Sequence, residues 1–212
     1  MPYHGKSSPI DGRLSFSETS ADFIKAILDH LAIAEAVLTG LSLGSYVTQL
    51  AAHRYPEKVR ASIHIGGGPL HPPVTRLLQL ASPLIGLFIR LYAEKSIFRA
   101  FADQRSFKPE TRDYVGRIAR ENGKVVMAHL TQELLGDMVR GLPQHTPEPT
   151  LLCHGDHEIA FIQKQMKRWH RQCPKSQLTI IEDAHHIANQ DNPKATNEAL
   201  LGFLDYVWDV AE

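Results

Sequence analysis

The feature that most constrains the fold is a turn of small residues at 39–45, Thr-Gly-Leu-Ser-Leu-Gly-Ser. The apolar run at 36–38 before it has the length of a buried strand, and apolar residues recur at helical spacing from Tyr46 to Ala51. This pattern predicts a strand, a sharp turn and a helix, with Ser42 at the apex and its hydroxyl exposed.

Glycines stand on both sides of this serine, at 40 and 44. We expect both to be required, because a Cβ at either position would collide with the neighbouring strand or helix. In a chain of 212 residues with 14 glycines, a Gly-x-Ser-x-Gly motif arises by chance with odds of roughly one in twenty. The motif alone therefore also fits a structural turn where a helix packs tightly on a sheet.

The composition excludes several classes of partner. Basic and acidic residues both number 23, which argues against a nucleic acid or an anionic membrane surface as a partner. The most apolar stretch, 77–91, is too short and too interrupted by Gln79, Ser82 and Pro83 to span a bilayer. The two cysteines are too few for a disulfide framework and indicate reduced thiols in a cytoplasmic protein. We expect a small-molecule substrate and no cofactor.

Strand and helix patterns alternate in the first and last thirds of the chain, which predicts an α/β fold with a parallel sheet. The predicted elements are strands at 36–38, 59–65, 150–153 and 178–181, and helices at about 20–31, 159–173 and 193–209. Residues 1–68 and 148–212 are therefore assigned to one core domain.

Between these two parts, residues 69–147 carry only helical patterns, which predicts a helical cap or lid inserted into the core. The patterns cover 77–91, with a break expected at Pro83, then 110–121 and 124–140. Apolar side chains of this insertion either pack on the core or line an apolar substrate pocket.

Polar side chains follow three of the predicted strands: Ser42, then Asp156 and Glu158, then His185 and His186. In open parallel sheets, ligand sites lie at the edge formed by the carboxyl ends of the strands. The order nucleophile, acid, base is also that of the hydrolytic triad built on an elbow serine.

Four segments give the chain a resemblance to the α/β-hydrolase family from end to end. They are Pro2-Tyr3-His4-Gly5-Lys6-Ser7, Gly40-Leu41-Ser42-Leu43-Gly44, the run from Pro149 to Glu158, and Ala184-His185-His186-Ile187-Ala188-Asn189 followed by Asn192-Pro193. The resemblance implies a parallel-sheet core with a helical cap. It also implies a serine hydrolase that cleaves a small carboxylic ester or a similar acyl bond.

The same resemblance assigns roles to individual residues. Ser42 is the expected nucleophile. His186 is the expected general base, because the family pattern Ala-Gly-His places it there and puts His185 at the glycine position. The family's Gly-x-x-Asp pattern puts Glu158 at the acid position, and Asp156 is the alternative acid.

A metal site is the alternative role for four histidines, because His154, His157, His185 and His186 occur in two pairs. No familiar ligand spacing is present, and a strand sends neighbouring side chains to opposite faces. We expect no metal.

The oxyanion hole is expected to be incomplete. Leu43 offers one backbone N–H, whereas the second donor normally comes from a loop after an earlier strand. In the family, the segment at 2–7 follows the fourth strand, so the chain is expected to be N-terminally truncated; no strand precedes His4-Gly5 to make it a substitute loop. The alternative function is an inactive hydrolase remnant or binding module, and in-frame translation upstream of Met1 would separate the two.

Overall fold

The computed structural model describes residues 1–9, 14–73, 76–145 and 148–209, and within them the side chains outside 76–82. The predicted domains also include 10–13, 74–75, 146–147 and 210–212, and these residues lie outside the described ranges. The strands are β1 (Ala36–Leu41), β2 (Val59–Ile65), β3 (Thr150–Gly155) and β4 (Ser176–Ile181). The helices are α1 (Phe16–His30), α2 (Leu43–Arg54), α3 (Arg76–Leu91), α4 (Glu94–Asp103), α5 (Pro109–Arg140), α6 (Ala160–Gln172), α7 (Ala188–Asp191) and α8 (Pro193–Asp209).

The described strands form one parallel sheet in the order β1-β2-β3-β4, which confirms the predicted fold class. Leu41 pairs with Ile65, Ile65 with Cys153, and Gly155 with Ile181. The strands therefore end close together, and the polar residues that follow them meet at one edge of the sheet. Within the described residues β1 is paired on one side only.

The sheet is covered on both faces by apolar side chains, as its continuous apolar strands require. One face packs on α8 through the cluster of Ala61, Ile63, Ile65, Leu151, Cys153, Ile181, Ala184, Ala188, Phe203 and Val207. On the other face, Leu152 packs with Met166 and Trp169 of α6. This core fixes the ends of β2 and β3, next to which the candidate site lies.

Helix α1 begins earlier than predicted. Its N-cap is Ser15, whose hydroxyl accepts the Glu18 N–H while the Glu18 carboxylate accepts the Ser15 N–H, a capping box. Residues 17–20, just before or at the predicted start, already belong to the helix. The apolar side chains Phe23 and Ile27 are half or more exposed, since α1 packs on α2 with its other side.

The chain between β2 and β3 is helical, so the helical insertion is present. Pro83 lies inside α3, and the predicted break there is wrong. The packing of α3 along α5 offsets the single hydrogen bond that a proline removes. Gly123, at φ 83°, divides α5 into two helices at the predicted place. Within the described ranges, no helix combines the length and apolarity needed to cross a bilayer.

Candidate active site

Ser42 forms the turn between β1 and α2, the strand–turn–helix arrangement that the sequence predicts. Its backbone has φ 52° and ψ −115°, a conformation that a residue with a Cβ rarely adopts and that costs about 1–3 kcal/mol. The Ser42 N–H donates to the Ile65 carbonyl at 2.8 Å, which ties the turn to the end of β2. Such strain at a half-buried serine that ends a strand is a feature of functional sites.

The two glycines beside Ser42 have different standing. A Cβ on Gly40 would overlap the backbone of Gly44 and Ser45, so only glycine allows β1 to approach the start of α2. A Cβ on Gly44 would meet no atom within 4 Å. The prediction that a Cβ on Gly44 would collide is therefore wrong. The close contact in this turn is between the Gly40 Cα and the backbone of Gly44 and Ser45.

Glu158 and His186 form a buried pair. His186 Nδ1 donates to Glu158 Oε2 at 2.7 Å, and both side chains are almost fully buried. Burial raises the pKa of Glu158, but the hydrogen bond and charge of His186 and the Ile159 N–H outweigh it, so the pKa lies below its ordinary value. Glu158 is therefore a carboxylate at neutral pH.

The other ring nitrogen of His186, Nε2, is buried and has no hydrogen-bond partner among the described residues. Because Nδ1 donates its proton to Glu158, Nε2 of the neutral ring carries the lone pair. No hydrogen bond joins His186 to Ser42 in the described part of the chain, and such bonds often tighten only when substrate binds.

Gly66, which directly follows β2, lies beneath this pair. It has φ +59°, and a Cβ on it would stand 3.0 Å from both Glu158 Oε2 and His186 Nδ1. Since the preceding residue, Ile65, binds the backbone of Ser42, the serine and the pair are both held at the end of β2. Gly66 was not among the residues predicted for the site, although the run of three glycines at 66–68, directly after a predicted strand, is a signal in the sequence.

Asp156, the alternative acid, has another partner. One of its carboxylate oxygens accepts the Ala184 N–H at 3.1 Å, and the other lies 3.8 Å from His157 Nε2. Burial raises the pKa of Asp156, but backbone N–H donors, Ala184 first, bring the pKa below its ordinary value. The geometry makes Asp156 an anchor for the loop that carries the histidines.

His185, the alternative base, also shapes this loop. The backbone N–H of His185 donates to Asp191 Oδ2 at 2.9 Å, and its ring Nδ1 accepts the backbone N–H of His186 at 2.9 Å. Burial lowers the pKa of His185 against the opposing charge of Glu158, which keeps the ring neutral and able to accept that bond. His185 therefore orients the backbone of His186.

The paired histidines that raised the question of a metal site have separate surroundings. His154 lies in β3 with Nδ1 2.8 Å from the Gly155 carbonyl, whereas the exposed ring of His157 meets the Phe107 ring edge to face. Among the residues with described positions, no three side chains of the metal-binding types converge.

A second serine–histidine pair lies in the core and was missed from the sequence. Ser45 Oγ lies 2.9 Å from His64 Nδ1, and His64 Nε2 lies 3.1 Å from Ser62 Oγ, which donates to Glu148 at 2.9 Å. Burial lowers the pKa of His64 to about 3, so the ring is neutral. Both Ser45 and His64 are fully buried, and a substrate cannot reach them.

A cavity of about 500 Å³ opens over the elbow. Ser42 and Leu43 of the elbow line this cavity. Helices α4 and α5 supply apolar walls, which include Phe101, Val115, Ile118, Met127 and Leu130. Apolar residues of the helical insertion thus line a pocket, one of the two roles that the sequence left open. His4 also lines it, with Nδ1 2.8 Å from the Pro2 carbonyl.

A family profile described as the alpha/beta hydrolase family matches residues 1–199. The chain belongs to the α/β-hydrolase family, in agreement with its parallel sheet and its serine elbow.

Individual relatives are distant and differ in their reactions. The cis-3-alkyl-4-alkyloxetan-2-one decarboxylase of Shewanella oneidensis is 24% identical over 196 residues, covering 80% of this chain and 60% of that protein. The 2-(acetamidomethylene)succinate hydrolase of Mesorhizobium japonicum is 24% identical over 198 residues, covering 87% and 69%. The chain thus spans only about three fifths of the Shewanella relative.

Among solved structures, a malate-bound thermophilic esterase from Thermogutta terrifontis is similar, with a TM-score of 0.77. Its identity is 22%, and the match covers 96% of this chain and 77% of the esterase. At that identity the likeness shows the fold.

Proposed function

We propose that the chain is a serine hydrolase that cleaves a small carboxylic ester or a similar acyl bond through an acyl-enzyme. The observation that carries the proposal is the buried Glu158–His186 pair, whose free Nε2 lies at the same sheet edge as the strained serine. The name of the Mesorhizobium relative, a hydrolase, supports the reaction class.

In the proposed reaction, Ser42 Oγ attacks the acyl carbonyl while His186 Nε2 takes its proton. Glu158 holds the ring in the required tautomer and stabilises the imidazolium that forms. The tetrahedral intermediate collapses, and His186 returns the proton to the leaving alcohol. Water, deprotonated by the same nitrogen, then attacks the acyl-serine, and the proton returns to Ser42 as the acid is released.

The oxyanion would be bound at the start of α2. The N–H groups in the first turn of a helix have no intrahelical partner, and the helix dipole favours negative charge there. Leu43 is the first residue of α2 and lines the cavity beside Ser42. It is the proposed donor to the oxyanion.

The second candidate function is binding without turnover. It is favoured by the single assigned oxyanion donor, Leu43, because each missing donor typically lowers the rate about a hundred- to a thousandfold. The buried carboxylate–histidine pair favours the enzyme, since a binding module has no need of a buried charge with an unused nitrogen beside it.

The two functions are separated by hydrolysis of p-nitrophenyl and phenyl butyrate in water containing methanol. A shared butyryl-enzyme predicts the same ratio of methyl butyrate to butyrate from both esters, because both pass through one intermediate. Different ratios would contradict the acyl-enzyme. Release of no product above that of heat-denatured protein would favour the binding module.

Replacing Glu158 by glutamine is expected to lower kcat about ten-thousandfold, because the neutral amide stabilises neither the tautomer nor the imidazolium. The whole effect should be present at neutral pH, since the lowered pKa keeps Glu158 ionised there. The contribution of the carboxylate charge should be lost once pH falls through that pKa, below the ordinary value of about 4.3, because a protonated carboxyl carries no more charge than the amide.

The matched control is Asp156→Asn, which removes a charge but keeps an oxygen that can accept the Ala184 N–H. We expect this variant to retain most of the wild-type kcat. If Asp156→Asn lost activity and Glu158→Gln kept it, the assignment of the acid would be reversed.

A further inference from the structure

One charged side chain lines the cavity over the elbow. Among the described residues that form its wall, Arg105 is the only lysine, arginine, aspartate or glutamate. It follows α4, and its carbonyl accepts the Ile187 N–H at 3.0 Å, so its backbone is fixed to the loop of His186.

The guanidinium of Arg105 has no ion-pair partner in the described part of the chain. It stacks on the Phe101 ring, 4.5 Å from the ring centre. Burial lowers its pKa while the charge of Glu158 opposes the shift. Because the ordinary pKa of arginine is above about 12, the group remains a cation.

An unpaired cation in a largely apolar cavity is unfavourable unless an anion binds there and forms an ion pair with it. A guanidinium binds a carboxylate through two parallel N–H···O bonds. A dianionic phosphate would bring a second negative charge for which the described wall offers no cation, whereas a carboxylate matches the single charge of Arg105.

We propose that the substrate carries a carboxylate bound by Arg105, separate from the acyl group that Ser42 attacks. Ser42 and Arg105 line the same cavity, and most of the remaining wall is apolar. The substrate class is therefore the monoesters of dicarboxylic acids with an apolar chain between the two carbonyl carbons. This inference rests on the proposed function.

A competing role for Arg105 is to balance the buried charge of Glu158 across the site. That role would affect every substrate equally, because Glu158 serves the chemical step. Carboxylate binding affects only substrates that carry the carboxylate. A pair of substrates that differ in this charge alone distinguishes the two roles.

The test compares mono-p-nitrophenyl adipate with methyl p-nitrophenyl adipate, in which the distal carboxylate is masked. The wild type should prefer the anion in kcat/KM by about 10- to 100-fold, the value of a hydrogen-bonded charge. Arg105→Gln should remove that preference, mainly through KM, and Arg105→Lys should retain part of it. Arg99→Gln is the matched control, since Arg99 lies on α4 with a side chain 81% exposed and should leave the preference unchanged.

An equal loss on both substrates in Arg105→Gln, or a wild type without the preference, would overturn the carboxylate site. Hydrolysis of the neutral diester would show that the proposed function stands in that case. If neither ester is hydrolysed, the proposed function fails, and adipate must still raise the Tm of the wild type and not of Arg105→Gln for the carboxylate site to stand.

Discussion

Replacing Ser42 by alanine is expected to lower kcat for p-nitrophenyl butyrate by about ten-thousand- to a million-fold. The alanine removes the oxygen that forms the acyl-enzyme. Among the described residues of the strained turn between β1 and α2, Ser42 is the one that brings a hydroxyl to the cavity. Binding of the ester should persist, because the apolar wall of the cavity is unchanged. The measurement is steady-state release of p-nitrophenol.

Ser45→Ala is the control for this substitution. Ser45 lies three residues further along α2 and also contacts a histidine, yet it is fully buried. We expect this variant to keep its turnover and to lose about 1–3 kcal/mol of unfolding free energy, because His64 Nδ1 loses a buried partner. If Ser45→Ala abolished turnover in a folded protein, or Ser42→Ala kept it, the nucleophile would be wrongly assigned.

Replacing His186 by alanine should lower kcat by at least about ten-thousandfold, because proton transfer to and from Ser42 has no other acceptor in place. The buried Glu158 also loses its hydrogen-bond donor, so a lower stability is expected. The measurement is the same release of p-nitrophenol, with circular dichroism to establish that the variant is folded.

The neighbouring histidine supplies the comparison. In His185→Asn, the side-chain oxygen can still accept the His186 N–H in place of Nδ1, so the loop keeps its shape. We expect its kcat to stay far closer to the wild type than that of His186→Ala. Equal losses from the two substitutions would mean that the loop, and no single histidine, limits the rate.

Local patterns were enough to place the sheet and the elbow. The strand, the small-residue turn and the helix around Ser42 are dictated by neighbours in sequence, and the helix Pro193–Asp209 has a proline at its start. That the polar residues after the strands lie close together then follows from the rule that the carboxyl ends of parallel strands meet at one edge.

Contacts between distant residues could not be predicted in this way. The Ser45–His64 pair depends on how α2 crosses β2. The close approach of Gly66 to the Glu158–His186 pair depends on how three separate segments fold together. The collision expected at Gly44 was wrong because Gly44 already lies in the first turn of α2, where a Cβ would meet no atom within 4 Å.

The substrate pocket was equally beyond the sequence. Nothing in the pattern near Arg105 marks it, because its significance comes from lining one cavity with Ser42 and from lacking an ion-pair partner in the described chain. Sequence reasoning could only leave open whether the apolar residues of the insertion pack on the core or line a pocket.

The central claim is that Ser42 is an activated nucleophile. Its most direct test is to treat the protein with a fluorophosphonate and to locate the adduct by mass spectrometry of proteolytic peptides. The account predicts one phosphonylated residue, Ser42, with labelling lost in Ser42→Ala and kept in Ser45→Ala. An adduct on another residue, or an unmodified Ser42 in folded protein, would contradict it.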